Sequence, residues 1–498
     1  MTTVDPATHT ASPAASATPG ERATYPVLRW LVAATFTVIL NETVMVNAIP
    51  RLMAQFEVDA RSAQWLSTAF MLSLAVVIPV TGWFLQRVTT RTAFAVAMSV
   101  FSVGTLVCAL APVFLVLVAG RVVQAAGTAV MMPLLMTTLM TVVAERDRGR
   151  VMGNVTLAIS VAPALGPALS GVVLGFAGWR WLFGLVLPVV ALVSVAGMRR
   201  LTDVGEPRVS SIDGFSVVLS ALGFGGLVFG LSRIGEQHAG AVPAGVYVAC
   251  GLALVGVFVL RQRSLTRRSK PLLDLRTLTH RTYALSVAMQ SLAFLAMLGA
   301  MILLPLYLQD LRGLSPLQTG LLVAPGGLAM GLLGPVVGRV FDRVGARPLM
   351  VPGALGVLAA LVGLSRLTES TPYALILGIQ VVLMVGLAAL FTPAFTLALG
   401  ALPPHLYSHG SSLLATAQQV AAAVGTALTV TVLSWRSAQL ARGGATEAAA
   451  YVGGVRAAFG VAAVLAIGVV VLAALLPNRA PSPDTDTDAE PAPAPGDT

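Results

Sequence analysis

Apolar residues run along this chain in stretches of about 20, separated by short polar clusters. That is the length a helix needs to cross about 30 Å of hydrocarbon. Lipid cannot satisfy an irregular backbone, so such stretches must be helical. The pattern predicts fourteen spans, at roughly 27–49, 64–85, 92–111, 114–142, 151–176, 182–198, 213–233, 244–262, 282–308, 317–340, 347–366, 372–400, 410–435 and 456–476. The expected class is an all-α polytopic membrane protein. An even number of spans puts both ends on one side.

The basic residues choose that side. With the N-terminus cytoplasmic, twenty-one Lys and Arg fall in cytoplasmic segments and nine in outer ones, with Arg121 inside a span. This follows the positive-inside rule and predicts two cytoplasmic termini. Composition agrees: 56% of residues are apolar and 10% charged, against about 25% charged in a soluble domain. The net charge of +10 is scattered through loops, which argues for lipid as the partner and against nucleic acid. Residues 1–26 are rich in Pro, Ala, Thr and Ser, without a basic segment and cleavage site, and are expected to be a disordered tail. The segment 477–498, with Asp484, Asp486, Asp488, Glu490 and Asp497, is expected to be a second, acidic one.

Little here belongs to an enzyme. Cys108 and Cys250 fall within apolar spans and read as core residues. His9, His238, His280, His405 and His409 are expected in tails or loops, without metal-ligand spacing. No phosphate loop of the G-x-x-x-x-G-K-[ST] type occurs, and Lys270 is the sole lysine. No nucleophile, histidine and acid are grouped near the cytoplasmic face. Neither cofactor nor metal is expected.

A repeat divides the chain. Gly82–Arg91 (G-W-F-L-Q-R-V-T-T-R) follows the second span, and Gly338–Arg347 (G-R-V-F-D-R-V-G-A-R) follows the tenth. Parallel repeats of this kind predict a six-helix bundle over 27–200, an inserted helix pair and linker over 201–281, and a second six-helix bundle over 282–476.

These residues resemble the major facilitator superfamily, and within it the fourteen-helix drug:proton antiporters of the EmrB/QacA type. The likeness runs from about Leu31 to Leu476. L-N-E-T-V-M-V-N-A-I-P at 40–50 is similar to the branch's first-helix signature, with Asn41 at the usual acid position and Glu42 one place on. Arg121, Gln124 and Gly127 match the fourth-helix pattern, whose arginine the resemblance assigns to proton coupling. A-P-A-L-G-P-A-L-S-G at 162–171 is similar to the fifth-helix antiporter motif. Trp179–Phe183, Pro305–Gln309 and Gly313–Pro316 recur in this branch as interfacial anchors and turns. Gly338, Asp342, Arg343, Gly345 and Arg347 fit the superfamily's signature loop, while its first copy, with Gly82 and Arg87, carries Gln86 for Asp and Thr89 for Gly. The resemblance implies the major facilitator fold, a monomer, no cofactor, and export of drugs or other small amphipathic compounds against protons. A dedicated exporter of one metabolite or endogenous antibiotic, an importer, and a non-transporting membrane sensor are the alternatives.

The residues add a mechanism. Charges inside a membrane are rare and functional, and Glu42 and Arg121 are the two deep ones. Each lies about 12 Å from the outer end of its predicted span, so the two are expected to share a cavity. A poorly solvated carboxyl holds its proton and a nearby guanidinium favours its loss, so their separation would switch proton affinity. Asn41, Thr43, Asn47 and Gln124 are candidate cavity residues, as are one or two of Gln290, Gln380, Gln418 and Gln419. Ala158, Ala162, Gly166 and Ser170 form a small-residue stripe that admits a close neighbour. Pro163 and Pro167 each remove a helix hydrogen bond, and with Gly171 they are expected to form a gating bend.

Overall fold

The computed structural model describes residues 26–204, 212–234, 242–267 and 271–480; within these, the side chains of 46, 47, 60, 61, 164 and 167 are outside the description. Every regular element among the described residues is helical. Fourteen helices are long and apolar enough to cross a membrane: α1 Pro26–Val44, α2 Ser62–Arg87, α3 Thr90–Leu110, α4 Phe114–Val142, α5 Glu145–Phe176, α6 Arg180–Arg200, α7 Gly214–Ser232, α8 Ala244–Thr266, α9 Arg281–Leu311, α10 Pro316–Val344, α11 Arg347–Leu364, α12 Tyr373–Gly400, α13 Pro404–Arg442 and α14 Glu447–Leu475.

Local chemistry sets the ends. α1 stops before its predicted end: the chain tightens into a 3₁₀ turn, Met45–Ala48, and re-forms as a short helix, Ile49–Phe56, with Pro50 in its first turn. Proline has no N–H to donate, and the first turn of a helix asks for none at that place. Asp59, Thr89 and Thr446 each accept a bond from the third residue onward and so start α2, α3 and α14. Ser315 and Gln318 satisfy each other's backbone in a capping box ahead of α10.

α1 packs on α4, α5 and α6, and α4 on α2 and α3, giving the first bundle. In the second, α9 packs on α12, α13 and α14, α10 on α12, and α11 on α12 and α14. α7 and α8 form the inserted pair, and α7 lies across both α2 and α13. The base of that pair is tied to the linker. Asp213 accepts the Ser216 backbone N–H at 3.1 Å and the Nε and Nη2 donors of Arg261 at 2.7 and 2.8 Å. These bonds, Arg261 first, hold the Asp213 carboxyl well below the usual carboxylate range against the opposing effect of burial. Buried Gln262 donates to the Ser216 hydroxyl at 2.8 Å and accepts from the backbone N–H groups of Leu272 and Leu273 at 2.8 and 3.2 Å.

Two expectations change. His409 is not in a loop: it is the third residue of the regular helix Tyr407–Arg442 and is buried between bundles. The acidic tail does not begin at Pro477. Asn478 is bound to the loop before α11, accepting from the Ala346 and Arg347 backbone N–H groups at 2.8 and 3.1 Å and donating to the Val344 carbonyl at 3.0 Å. Gly345, at φ +86°, leaves room for it; a Cβ there would lie 2.4 Å from the Asn478 amide. The segments 1–25 and 481–498 lie outside the described residues.

The bundles meet along two seams, both on the side where α1 begins and α14 ends. The first joins α5 to α10. Asp342 accepts the backbone N–H groups of Gly149 and Arg150 at 2.8 and 2.7 Å, so a carboxylate of one bundle caps the first turn of a helix of the other. Gly153 and Gly334 bring the two backbones together: a Cβ on Gly153 would fall 2.3 Å from the Gly334 carbonyl oxygen. The second joins α2 and α4 to α13. Gln86 donates to the His405 carbonyl at 2.9 Å, Thr81 to the Ser412 hydroxyl at 3.1 Å, and Ser412 to the Ile78 carbonyl at 2.6 Å. Thr137 and Ser411 share a 2.8 Å bond. Towards the other side the close approach of α5 and α10 ends: Gly171, Gly175 and Gly320 have open space beside them, and Leu165, Leu169, Leu317 and Leu321 are exposed.

Candidate functional site

The first bundle encloses a charge. Arg121 of α4 is 2% exposed. Its Nη1 donates to Gln124 Oε1 at 2.7 Å, and Gln124 Nε2 donates to Thr105 Oγ1 of α3 at 2.8 Å. The guanidinium lies 4.1 Å over the Phe70 ring of α2, a geometry in which the ring's negative face attracts the cation. Its Nε has no hydrogen-bond partner. A glycine permits this layer: a Cβ on Gly104 of α3 would sit 2.4 Å from the Gln124 backbone nitrogen. Arg121 is thus oriented by neutral groups on three helices, while part of its donor capacity stays unused.

Glu42 of α1 is within electrostatic reach of Arg121. No ion pair closer than 4 Å joins them among the described residues. The structure therefore brings the two predicted charges into one neighbourhood without locking them together. Glu42 stands two residues before the end of α1, with the 3₁₀ turn directly after it, because the helix breaks earlier than the apolar run does. Asn41 is 2% exposed and its Nδ2 has no partner. Thr43 is differently engaged: its hydroxyl donates to the Leu40 carbonyl of its own helix at 2.9 Å. Asn47's side chain lies outside the described residues.

α5 approaches α1 at that point. A Cβ on Gly166 would lie 2.1 Å from Thr43 Oγ1, so only a glycine fits. Ala162, Gly166 and Ser170 of the stripe are buried, while Leu165 and Leu169 are exposed. Pro163 is half-buried within a helix that runs unbroken over Arg148–Phe176. Pro167's side chain lies outside the described residues, and Gly171 borders open space.

Of the loop residues, Gly338 and Asp342 sit in the α5–α10 seam. Arg347 donates to the Leu476 carbonyl at 2.8 Å, and the Arg343 carbonyl accepts from Arg479 at 3.5 Å. Gly82 faces His409, whose Nδ1 would be 2.9 Å from a Cβ there. Arg87 lies 5.6 Å over the Trp83 ring. The first-copy loop gains a partner that its sequence does not announce: Asp203, after α6, accepts the Arg91 backbone N–H at 3.0 Å. Hydrogen bonds from Thr89 and Arg91 lower its pKa.

Phe70, Thr105 and Asp203 escape a reading of the sequence, because nothing in their spacing separates them from packing residues. A cleft of about 820 Å³ at the far end of the second bundle, lined by Ser365, Glu369, Arg436 and Arg456 among others, is remote from this site.

Residues 31–426 match the sequence pattern of the Major Facilitator Superfamily. The chain is 37% identical over 437 residues to the uncharacterized MFS-type transporter YcnB of Bacillus subtilis, covering 88% of this chain and 92% of that protein. It is 36% identical over 409 residues to the lincomycin resistance protein LmrB of Listeria monocytogenes, covering 82% and 86%. A multidrug resistance protein B homolog of Mycobacterium tuberculosis is 31% identical over 419 residues, covering 81% and 75%. Among solved structures, the fold is similar to the proton:xylose symporter XylE, with a TM-score of 0.63 at 13% identity over 91% of this chain and 95% of that one.

Proposed function

Because this chain belongs to the major facilitator superfamily, and is therefore a multi-pass secondary transporter of small molecules rather than an enzyme, we propose that it exports amphipathic compounds in exchange for protons. In this reading it works as a monomer in the bacterial cell membrane, with both termini cytoplasmic and no cofactor. One observation carries the proposal: a single carboxyl on α1, Glu42, stands within electrostatic reach of the buried Arg121 guanidinium without pairing to it. A fixed ion pair would hold one charge state. An adjustable separation lets the same carboxyl take and release a proton. The unmet Asn41 amide beside it offers a hydrogen bond to a substrate.

The cycle follows from the geometry. With the seams closed on the terminus-bearing side, protons would come to Glu42 from the opposite side, the outer one in this reading. Protonation would loosen its attraction to Arg121 and allow the bundles to rock. A cationic or hydrogen-bonding substrate arriving from the cytoplasm would then displace the proton. Gly166 against Thr43 is where α5 slides on α1. The names of the relatives, lincomycin resistance and multidrug resistance, support a drug-like cargo for this chain too.

The test uses inverted vesicles loaded with the full chain. Ethidium and lincomycin accumulation is followed under an imposed pH gradient, inside acidic. Accumulation that stops when nigericin collapses the gradient supports exchange. Accumulation indifferent to the gradient, or none of either probe, contradicts it.

A further inference from the structure

The cleft at the far end of the second bundle lies where α11 and α13 end and α14 begins, away from both seams. Two guanidinium groups share it: Arg436 near the end of α13 and Arg456 in the third turn of α14. A guanidinium has five N–H donors. Among the described residues Arg456 uses one, on the Ser365 carbonyl at 3.2 Å, and Arg436 one, on the Gln439 side chain. No carboxylate lies within 4 Å of either among the described residues, although Glu369 lines the same cleft. Two arginines against one glutamate leave the cleft one positive charge in excess, with most of its donors unused.

Depth and shape say what could use them. Arg456 lies about 29 Å along α14 from Leu475 at the other end of that helix, which is about the thickness of the hydrocarbon. With Leu475 at one boundary of the bilayer, Arg456 stands at the headgroup level of the other. Trp435, next to Arg436, is 61% exposed, as is common for aromatic residues at that level. Below Arg456 the face of α14 is open and apolar. Gly460, one turn on, lines the cleft, and a Cβ placed there would have nothing within 4 Å. Val464, Ile467 and Val471 continue the same helix face and are exposed. A cationic cleft opening onto a lipid-facing apolar strip suits a molecule with an anionic head and an acyl chain. A free anion would use only its upper half.

We propose that this cleft seats a phospholipid with a single negative charge, of the phosphatidylglycerol class. Its phosphodiester lies on Arg436 and Arg456, a headgroup hydroxyl donates to Glu369, and one acyl chain runs along Gly460, Val464 and Ile467. The one negative charge of the head matches the one in excess, whereas a zwitterionic lipid leaves it unbalanced. Bound there, the lipid ties the ends of α11, α13 and α14 together on the side opposite the seams. The leaflet is the outer one when both termini are cytoplasmic, and the chemistry is the same in either.

Native mass spectrometry of the purified full chain tests this, with dioleoyl phosphatidylglycerol, dioleoyl phosphatidylethanolamine and soluble glycerophosphoglycerol as probes. One phosphatidylglycerol should bind about tenfold more tightly than phosphatidylethanolamine, and the soluble headgroup should not displace it. Arg436→Gln combined with Arg456→Gln should abolish the preference. Gly460→Phe keeps both arginines and fills the path of the chain; it should weaken phosphatidylglycerol binding several-fold, and it carries the test if the double variant does not fold. Arg366→Gln, just past the end of α11 and outside the cleft, should change nothing. No preference for phosphatidylglycerol, a preference that survives loss of both arginines, an equal loss in Arg366→Gln, or full displacement by glycerophosphoglycerol overturns the assignment.

Discussion

The two seams between the bundles occupy equivalent places in the repeat and are built from different chemistry. At α5–α10 a carboxylate, Asp342, caps a helix of the other bundle through two backbone N–H groups, over a contact so close that Gly153 and Gly334 cannot carry side chains. At α2–α13 the equivalent position is Gln86, which makes one hydrogen bond to a carbonyl; hydroxyls of Thr81, Ser411 and Ser412 supply the rest. A charge-assisted bond at a helix N-terminus is roughly twice as strong as a neutral one. The difference teaches which seam sets the energy of the closed state. The α5–α10 seam holds the stronger contact, and the α2–α13 seam is made of several weaker bonds. α7 packs on both helices of the weaker seam, α2 and α13.

This contrast can be broken by substitution. The largest effect is expected from Asp342→Asn, which leaves one neutral oxygen to accept and turns an NH2 towards the other backbone N–H, and should cost the closed state about 2–3 kcal/mol. Spin labels at positions 146 and 343, in a background lacking Cys108 and Cys250, should report a longer and broader distance distribution, and transport should fall more than tenfold. Gly153→Ala follows. Its Cβ meets backbone, which cannot step aside, and the cost is about 1–3 kcal/mol; the same labels read it. Gly82→Ala meets first the His409 ring, which can turn, and should cost less. If Gly82→Ala opens the molecule as far as Gly153→Ala does, the two seams are equal and the contrast fails. Gln86→Leu should be smaller still, about 0.5–1 kcal/mol, changing transport by a few-fold at most.

The smallest effect is at the base of the inserted pair. Asp213 has its pKa depressed by Arg261, so the stability it contributes is present above the unfolded carboxylate range and is lost as pH falls through the folded value. The pair is partly exposed, so solvent screens it and its contribution is small. Asp213→Asn should lower the melting temperature slightly at pH 7, with the gap to wild type closing only at strongly acidic pH. A gap that instead widens on acidification would show that Arg261 does not hold Asp213.

Much of this was legible beforehand because lipid imposes a simple rule on sequence. Fourteen apolar runs gave fourteen helices. The small-residue stripe on α5 announced close packing, and Gly166 against Thr43 is an instance of it. What escaped has physical causes. The early end of α1 follows from backbone geometry ahead of Pro50, which hydropathy does not register. His409 looked like a loop residue because the polar start of α13 resembles a turn, yet Ser411 and Ser412 beside it pair across the seam. Asn478 sits in a stretch that composition marks as tail, and its binding depends on a left-handed glycine 133 positions earlier in the chain. Phe70 under Arg121 is one aromatic among 18 phenylalanines; only the fold selects it.

The central claim is that Glu42 carries the exchanged proton. It is tested most directly by comparing wild type with Glu42→Gln in inverted vesicles at matched expression, measuring pH-gradient-driven lincomycin accumulation and, separately, gradient-independent exchange of labelled for unlabelled lincomycin. The account predicts that Glu42→Gln loses gradient-driven accumulation by about a hundredfold while exchange persists. Undiminished gradient-driven accumulation in the variant would contradict it and move the proton to another residue.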